Sequence, residues 1–233
     1  MLNIFKNYPK TKYYKKNEKG KDYVVGDIHG EFLKLEEKLK SINFNPKVDR
    51  LFSVGDLTDR GSSSISVLDW INRKWFIPVK GNHEDMLIKV SKTIFTETAV
   101  SFYHNGGKWF FDIDKKKQKK IANYYKTFPT AITVDTINGP IGIVHADCPT
   151  PTWKLLNEFL NSKSFIDIER KCLWSRERLR IEDQIIPDVR AVIIGHMKQE
   201  VIKKHGNVFL IDTGSGYTDG YLTILDLETL NPV

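Results

Sequence analysis

The chain has 233 residues, 40% of them hydrophobic and 28% charged, with a formal net charge of +7. This length suits a single domain with a substantial core, and the composition excludes disordered and fibrous chains. With two cysteines, a disulfide framework is excluded. No run approaches the roughly 18 to 20 apolar residues of a membrane span, and residues 1–20 carry no signal-peptide core. A cytoplasmic protein without membrane association is therefore expected. The positive charge suits an anionic substrate, yet much of it lies in Lys115-Lys116-Lys117-Gln118-Lys119-Lys120, which a solvated helix face explains. Without an interleaved aromatic platform, nucleic acid is not the expected partner.

In chain order, residues 13–25, broken by Glu18-Lys19-Gly20, are expected to form a hairpin, with residues 1–12 a loose N-terminal extension. Phe32, Leu35, Leu39 and Ile42 share one face of a helix over residues 31–42. A strand follows at residues 51–54, and Ser62-Ser63-Ser64 can cap a helix reaching residue 73. A third strand at residues 76–79 leads to a helix opening at Asn82. This βαβαβ alternation predicts parallel strands with right-handed crossovers. A helical stretch is expected over residues 93–128, with Ile121, Tyr124, Tyr125 and Phe128 inward. Asn138-Gly139, between apolar runs at 131–134 and 141–144, is a strong hairpin signal. Further strands are expected at 191–194, 201–203, 208–211 and 221–225, with a turn at Gly206-Asn207. The predicted fold is one α/β domain over residues 1–233 with α+β elements: two mixed sheets packed as a sandwich with flanking helices. The loops at 91–105 and 149–187 resist assignment and are where substrate choice is expected to lie.

The chemistry gathers at strand ends. Gly26-Asp27-Ile28-His29-Gly30, Gly55-Asp56-Leu57-Thr58-Asp59-Arg60-Gly61 and Gly81-Asn82-His83-Glu84 each follow an apolar, β-favouring run, and so do His145 and His196. A single strand-end histidine is ordinary, but this many at metal-ligand residue types is not. Oxygen and nitrogen ligands without thiolate suit Mn²⁺, Fe or Zn²⁺ rather than Ca²⁺. The ligands exceed what one ion with an open position can use, so two divalent ions are implied. Asp27 and His29 would hold one; Asn82, His145 and His196 the other; Asp56 can bridge them. Such ions sit roughly 3.5–4 Å apart and clamp attacking and leaving oxygens, with a metal-bridging hydroxide as nucleophile. His104 and His205 lack this context. Five residues separate Cys172 from Arg178, the spacing of a cysteine phosphatase, but the insert has no glycine to form a phosphate cradle, and an ordinary half-buried thiol is expected.

These strings, together with His145-Ala146-Asp147, resemble the signature of the phosphoprotein phosphatases within the calcineurin-like metallophosphoesterases, nearest to the bacteriophage-lambda-type serine/threonine phosphatases. The resemblance extends through Asn105-Gly106-Gly107-Lys108-Trp109-Phe110, Leu173-Trp174-Ser175-Arg176-Glu177-Arg178 and Ile211-Asp212-Thr213-Gly214. It agrees with the ligand set above and implies Mn²⁺ as the favoured metal. It further implies that Arg60 and Arg176, with Asn82 and His83, bind the substrate phosphate. It makes His83 the general acid for the leaving alcohol, oriented by Asp59. For Arg176, a surface salt bridge within a charged helix turn, with Arg178 and Arg180 nearby, is the competing interpretation. Met197 after His196 departs from the family's usual Thr-Pro. The implied activity is hydrolysis of phosphoserine and phosphothreonine in proteins, with phosphotyrosine a further substrate; a monomer is the default expectation. A diadenosine-tetraphosphate hydrolase and an RNA-end phosphoesterase are the enzymatic alternatives, and a phosphate-binding adaptor the non-enzymatic one.

Overall fold

The protein is described by a computed structural model covering residues 8–94, 96–162, 166–181 and 183–233. Its strands are β1 (Thr11–Tyr14), β2 (Asp22–Val25), β3 (Arg50–Ser53), β4 (Phe76–Pro78), β5 (Ala131–Thr136), β6 (Gly139–Val144), β7 (Ala191–Ile194), β8 (Lys203–His205), β9 (Val208–Leu210) and β10 (Ile224–Asp226). The α-helices are α1 (Phe32–Ser41), α2 (Val67–Trp70), α3 (Asn82–Val90), α4 (Glu97–Phe102), α5 (Lys108–Asp112), α6 (Lys115–Tyr125), α7 (Trp153–Asn161) and α8 (Ile166–Trp174).

Alternation along the strands builds the layers. On β2, Tyr23 and Val25 face one core and Val24 another. β2, β3 and β4 are parallel neighbours, and β10 joins β2 antiparallel, in the order β10-β2-β3-β4. The second sheet runs β1-β5-β6-β7-β9-β8, with β6, β7 and β9 parallel. Val24, Phe52 and Val54 meet Ile132, Ile143 and Ile193 between the sheets. The outer face of the first sheet packs on Phe32, Leu35, Leu87 and Tyr125, from α1, α3 and α6. The outer face of the second packs on Trp153, Leu156 and Cys172, from α7 and α8. Each fully buried residue of these layers contributes about 1.5–3 kcal/mol. The two-sheet sandwich with flanking helices expected from the sequence is the observed architecture.

Local differences have identifiable causes. Residues 13–25 are not a hairpin: β1 pairs parallel with β5 in the six-stranded sheet, while β2 sits in the other. The turn between them is built by Asn17, whose Oδ1 accepts from Lys19 N at 3.1 Å and Gly20 N at 3.2 Å, and whose Nδ2 donates to Val48 O at 2.8 Å. Residues 1–7 of the expected loose extension lie outside the described residues, but residues 11 and 12 belong to β1 and Lys10 Nζ is 2.6 Å from Glu169. Ser62-Ser63-Ser64 do not cap a long helix. Instead Ser64 Oγ accepts from Asp59 N at 2.7 Å, and a 3-10 turn leads into the short α2. The strand expected at 201–203 lies at Lys203–His205, and β10, expected from 221, begins only at Ile224. The unassigned loop at 149–187 contains α7 and α8; Thr152 Oγ1 caps α7 through Leu155 N at 3.0 Å. Cys172 is fully buried rather than half-buried, and burial pushes its thiol well above the ordinary range. Among the described residues, no helix is long and apolar enough to cross a membrane.

Candidate active site

Every candidate residue except Arg176, which follows α8, lies on a segment that leaves the carboxyl end of a strand. Asp27 and His29 follow β2, Asp56, Asp59 and Arg60 follow β3, Asn82 and His83 open α3 after β4, and His145 and His196 follow β6 and β7. Parallel pairing places these ends together, and a contact of 2.8 Å between His145 Nδ1 and Val54 O joins the two sheets there. The backbone is left-handed at His29 (φ 46°), Asp56 (51°), Asp59 (76°), Arg60 (65°) and His196 (67°). Such conformations cost about 1–3 kcal/mol each and persist only when neighbours hold them. Here Ile28 N and His29 N donate to Asp56 O at 3.1 and 2.9 Å, and Gly61 N to His29 O at 2.9 Å. Gly106 lies against the same turn, where a Cβ would stand 2.4 Å from Arg60 N.

The donor set can be read from tautomers. His29 Nδ1 lies 3.0 Å from Thr58 O and His145 Nδ1 2.8 Å from Val54 O. Carbonyls only accept, so both Nδ1 atoms carry the hydrogen and both Nε2 atoms present a lone pair. His145 Nε2 then faces Asn82 Oδ1 at 2.8 Å and Asp56 Oδ1 at 3.5 Å, with no proton to share among them. His196 Nδ1 is 3.0 Å from the same Asn82 oxygen, and His196 Nε2 is buried without a hydrogen-bond partner among the described residues. The ligand atoms of Asp56, His145 and His196 lie within 4.8 Å of one another, as do those of His29, Asp56 and His83. Asp56 belongs to both groups. Asp27 Oδ2 is 3.9 Å from His29 Nε2, and its carboxylate accepts the His196 N–H at 3.1 and 3.2 Å.

Burial holds His29 and His145 below the ordinary histidine range and His196 down at about 3, so all three are neutral, the form that binds metal. Burial, then the nearby Asp212 and Asp56 carboxylates, push Asp27 well up. Asp212 is itself pushed up by burial to about 6. Acceptors converging on buried carboxylates fit divalent cations. The Arg60 guanidinium reaches the same atoms, with Nη1 2.6 Å from His29 Nε2 and Nη2 3.1 Å from His83 Nε2. A guanidinium only donates, so a cationic group is already the partner of these lone pairs.

His83 Nδ1 is 2.6 Å from Asp59 Oδ2, and the other Asp59 oxygen accepts from Trp109 Nε1 at 2.6 Å. Burial alone would lower the His83 pKa, but the Asp56 charge and the Asp59 hydrogen bond outweigh it and raise it. Arg176 is exposed; its carbonyl accepts from Leu179 N at 3.3 Å, while among the described residues its side chain makes no hydrogen bond or ion pair. The competing salt bridge belongs instead to Arg178, which is 1% exposed, with Nε 2.9 Å from Asp147 Oδ1 and Nη2 3.2 Å from Cys148 O. Arg178 thereby fastens the segment carrying Arg176 to the strand end carrying His145. Arg178→Met is expected to lower unfolding stability by about 3–5 kcal/mol, because Asp147 is left buried and unpaired. Urea denaturation checks this, and adding Asp147→Asn should recover part of the loss.

Trp109 and Glu84 are supports that the reading of the sequence did not single out, although both lie within its motif strings. Glu84 is fully buried and accepts from Asp56 N and Leu57 N, each at 2.8 Å, and from Gly81 N at 2.7 Å. It ties the second motif to the third. Burial and the Asp56 charge push its pKa up to about 7.

Residues 23–200 match the family model described as calcineurin-like phosphoesterase. The chain belongs to the calcineurin-like phosphoesterase family. This phosphoesterase is 37% identical to serine/threonine-protein phosphatase 2 of Escherichia coli (strain K12) over 216 residues, covering 89% of this chain and 94% of that relative. Its similarity to the symmetrical bis(5'-nucleosyl)-tetraphosphatase of Chromobacterium violaceum, 40% identical over 72 residues, covers 30% of this chain and 26% of the relative. A crystal structure classed provisionally as a diadenosine tetraphosphatase shares the fold, with a TM-score of 0.68 at 20% identity and 97% of each chain covered.

Proposed function

We propose that this phosphoesterase is a two-metal protein phosphatase acting on phosphoserine and phosphothreonine, with phosphotyrosine a further substrate, and that it works as a cytoplasmic monomer favouring Mn²⁺. Asp27, His29 and Asp56 would hold one cation and Asp56, Asn82, His145 and His196 the other. When bound, the cations supply Lewis acidity towards the phosphate and an activated water. Arg60 and Arg176 would donate to the phosphate oxygens, a role that guanidinium fork geometry suits. Asn82 and His83 would complete the phosphate site. His83, held by Asp59 through Nδ1, would give the departing alcohol oxygen a proton from Nε2, the atom that faces Arg60 Nη2 at 3.1 Å in the neutral ring.

The observation that supports the reading best is the Asp59–His83 pair, whose histidine converges with His29 and Asp56, which brings a proton donor to a cation site. Sequence identity of 37% over 89% of the chain to a protein phosphatase, against a match over 30% of it to the Chromobacterium violaceum tetraphosphatase, favours the protein substrate. The test is phosphate release from phosphoserine, phosphothreonine and phosphotyrosine peptides, diadenosine tetraphosphate and 2′,3′-cyclic nucleotides, each with Mn²⁺, Mg²⁺, Zn²⁺ or chelator. Turnover of phosphoserine and phosphothreonine peptides that is highest with Mn²⁺ and lost with chelator is expected. Preference for the dinucleotide would replace the protein substrate by the tetraphosphate.

A further inference from the structure

We infer that a lysine-lined groove at the far end of α3 is a docking site for an acidic segment of the phosphoprotein substrate. The inference rests on the protein-phosphatase reading above and names the kind of phosphoprotein. The groove, about 600 Å³, is formed by the end of α3 and the residues after it, with one face of α6 opposite. Lys92, Lys115, Lys119 and Lys126 line it, and no carboxylate does. Along α6 and one residue beyond, residues 115–126 hold six lysines and no acidic residue, against a net charge of +7 for the whole chain.

The local partners do not neutralise this charge. Lys115 Nζ donates to Gln118 Oε1 at 3.0 Å and Lys126 Nζ to Asn123 Oδ1 at 3.1 Å, both neutral amides. Asp114 pairs with Lys117, outside the lining. Lys115 and Lys119 stand four apart on a helix, where like charges repel. A concave surface that gathers cations against their own repulsion is complementary to an anionic chain.

Placement relates the groove to the phosphate site. α3 begins at Asn82 and His83, and the groove starts at Val90 and Ser91. At 1.5 Å per helical residue, the two lie about 12 Å apart along the helix. An extended peptide advances about 3.3 Å per residue, so an acidic cluster roughly five to ten residues from the phosphoresidue can reach the groove along the surface. A small phosphomonoester cannot.

The test compares the parent enzyme with Lys92→Glu/Lys119→Glu, neither residue being part of the phosphate or cation site. Substrates are p-nitrophenyl phosphate and phosphothreonine peptides with an acidic or a neutral cluster five to ten residues away, on either side, each with Mn²⁺. The parent is expected to turn over the better acidic peptide with about tenfold higher kcat/KM than its neutral counterpart, through KM, and to lose that preference at 0.5 M NaCl. The variant should lose the preference while p-nitrophenyl phosphate and neutral-peptide turnover stay unchanged, which also shows that it is folded. Equal kcat/KM for acidic and neutral peptides in the parent, or a preference that survives the charge reversal, would overturn the inference. Tight binding of single-stranded RNA that the variant loses, without an acidic-peptide preference, would give the groove to nucleic acid instead. Failure of the parent on every phosphopeptide, with p-nitrophenyl phosphate still hydrolysed, would count against the protein-phosphatase reading itself.

Discussion

Asp56→Asn is expected to reduce phosphomonoester hydrolysis by about 10⁴-fold or more and to cut bound Mn²⁺ from two equivalents to one or none. Asp56 is the only residue common to both groups of convergent ligand atoms: Oδ1 lies 3.5 Å from His145 Nε2 and Oδ2 3.7 Å from His29 Nε2. One lost electrostatic contact in a preorganised site costs about 10²–10³ in rate, and here both halves lose one together. The substitution is nearly isosteric, and an amide oxygen can still accept the His83 N–H, now 3.0 Å from Oδ1. Without cations the variant should be somewhat less stable than the parent near neutral pH: burial opposes the Asp56 charge, but His145, His83 and His29 outweigh it and hold the carboxyl below its ordinary range, an attraction the amide gives up. Added Mn²⁺ should raise the Tm of the parent by mass action, by about 2.7 kcal/mol of stability at a hundred times Kd, and raise that of the variant far less. Two retained equivalents with turnover within tenfold of the parent would remove Asp56 from the bridging position.

The sandwich was legible in the sequence because its strands are short, apolar and punctuated by glycine and Asn-Gly turns, and because period-two burial leaves few ways to pair them. The convergence of Asp27, His29, Asp56, Asn82, His83, His145 and His196 was legible for a related reason: each stands just past a strand, and parallel strands end together. What stayed hidden was set by contacts distant in the chain. β1 pairs with β5 rather than β2, and its Tyr14 meets Phe52 of the other sheet edge-on at 5.4 Å, long-range contacts that no local pattern encodes. α7 has apolar residues at helical spacing, Trp153, Leu156 and Leu160, but the prolines at 149 and 151 masked its start. Arg176 and Arg178 are two residues apart in one charged string. Burial of the second against Asp147 and exposure of the first became visible only once the strand end at His145 was in place. Glu84 and Trp109 show the same limit, since their partners are the backbone of Asp56 and the carboxylate of Asp59.

His83→Asn is expected to leave both Mn²⁺ equivalents bound and to slow phosphoserine-peptide hydrolysis by about 10²–10⁴-fold, the usual worth of a general acid. The Asn side chain can keep a hydrogen bond to Asp59, now 2.6 Å from His83 Nδ1, but it has no proton to give. The leaving group separates a chemical role from a structural one. A serine alkoxide needs a proton as the ester bond breaks, whereas a nitrophenolate leaves without one, so p-nitrophenyl phosphate should suffer much less. The pH profile supplies a second signature. An acid must be protonated to act, and the Asp56 charge and Asp59 hydrogen bond raise the His83 pKa despite its burial. In the parent, kcat/KM for the phosphopeptide should fall as pH climbs through that raised value, and the variant should lose this alkaline limb. His83 also belongs to one group of convergent ligand atoms, with His29 and Asp56. Its Nδ1 is already committed to Asp59, so metal stoichiometry decides between the two roles: loss of one equivalent in His83→Asn, with equal damage to both substrates, would make it a ligand rather than the acid.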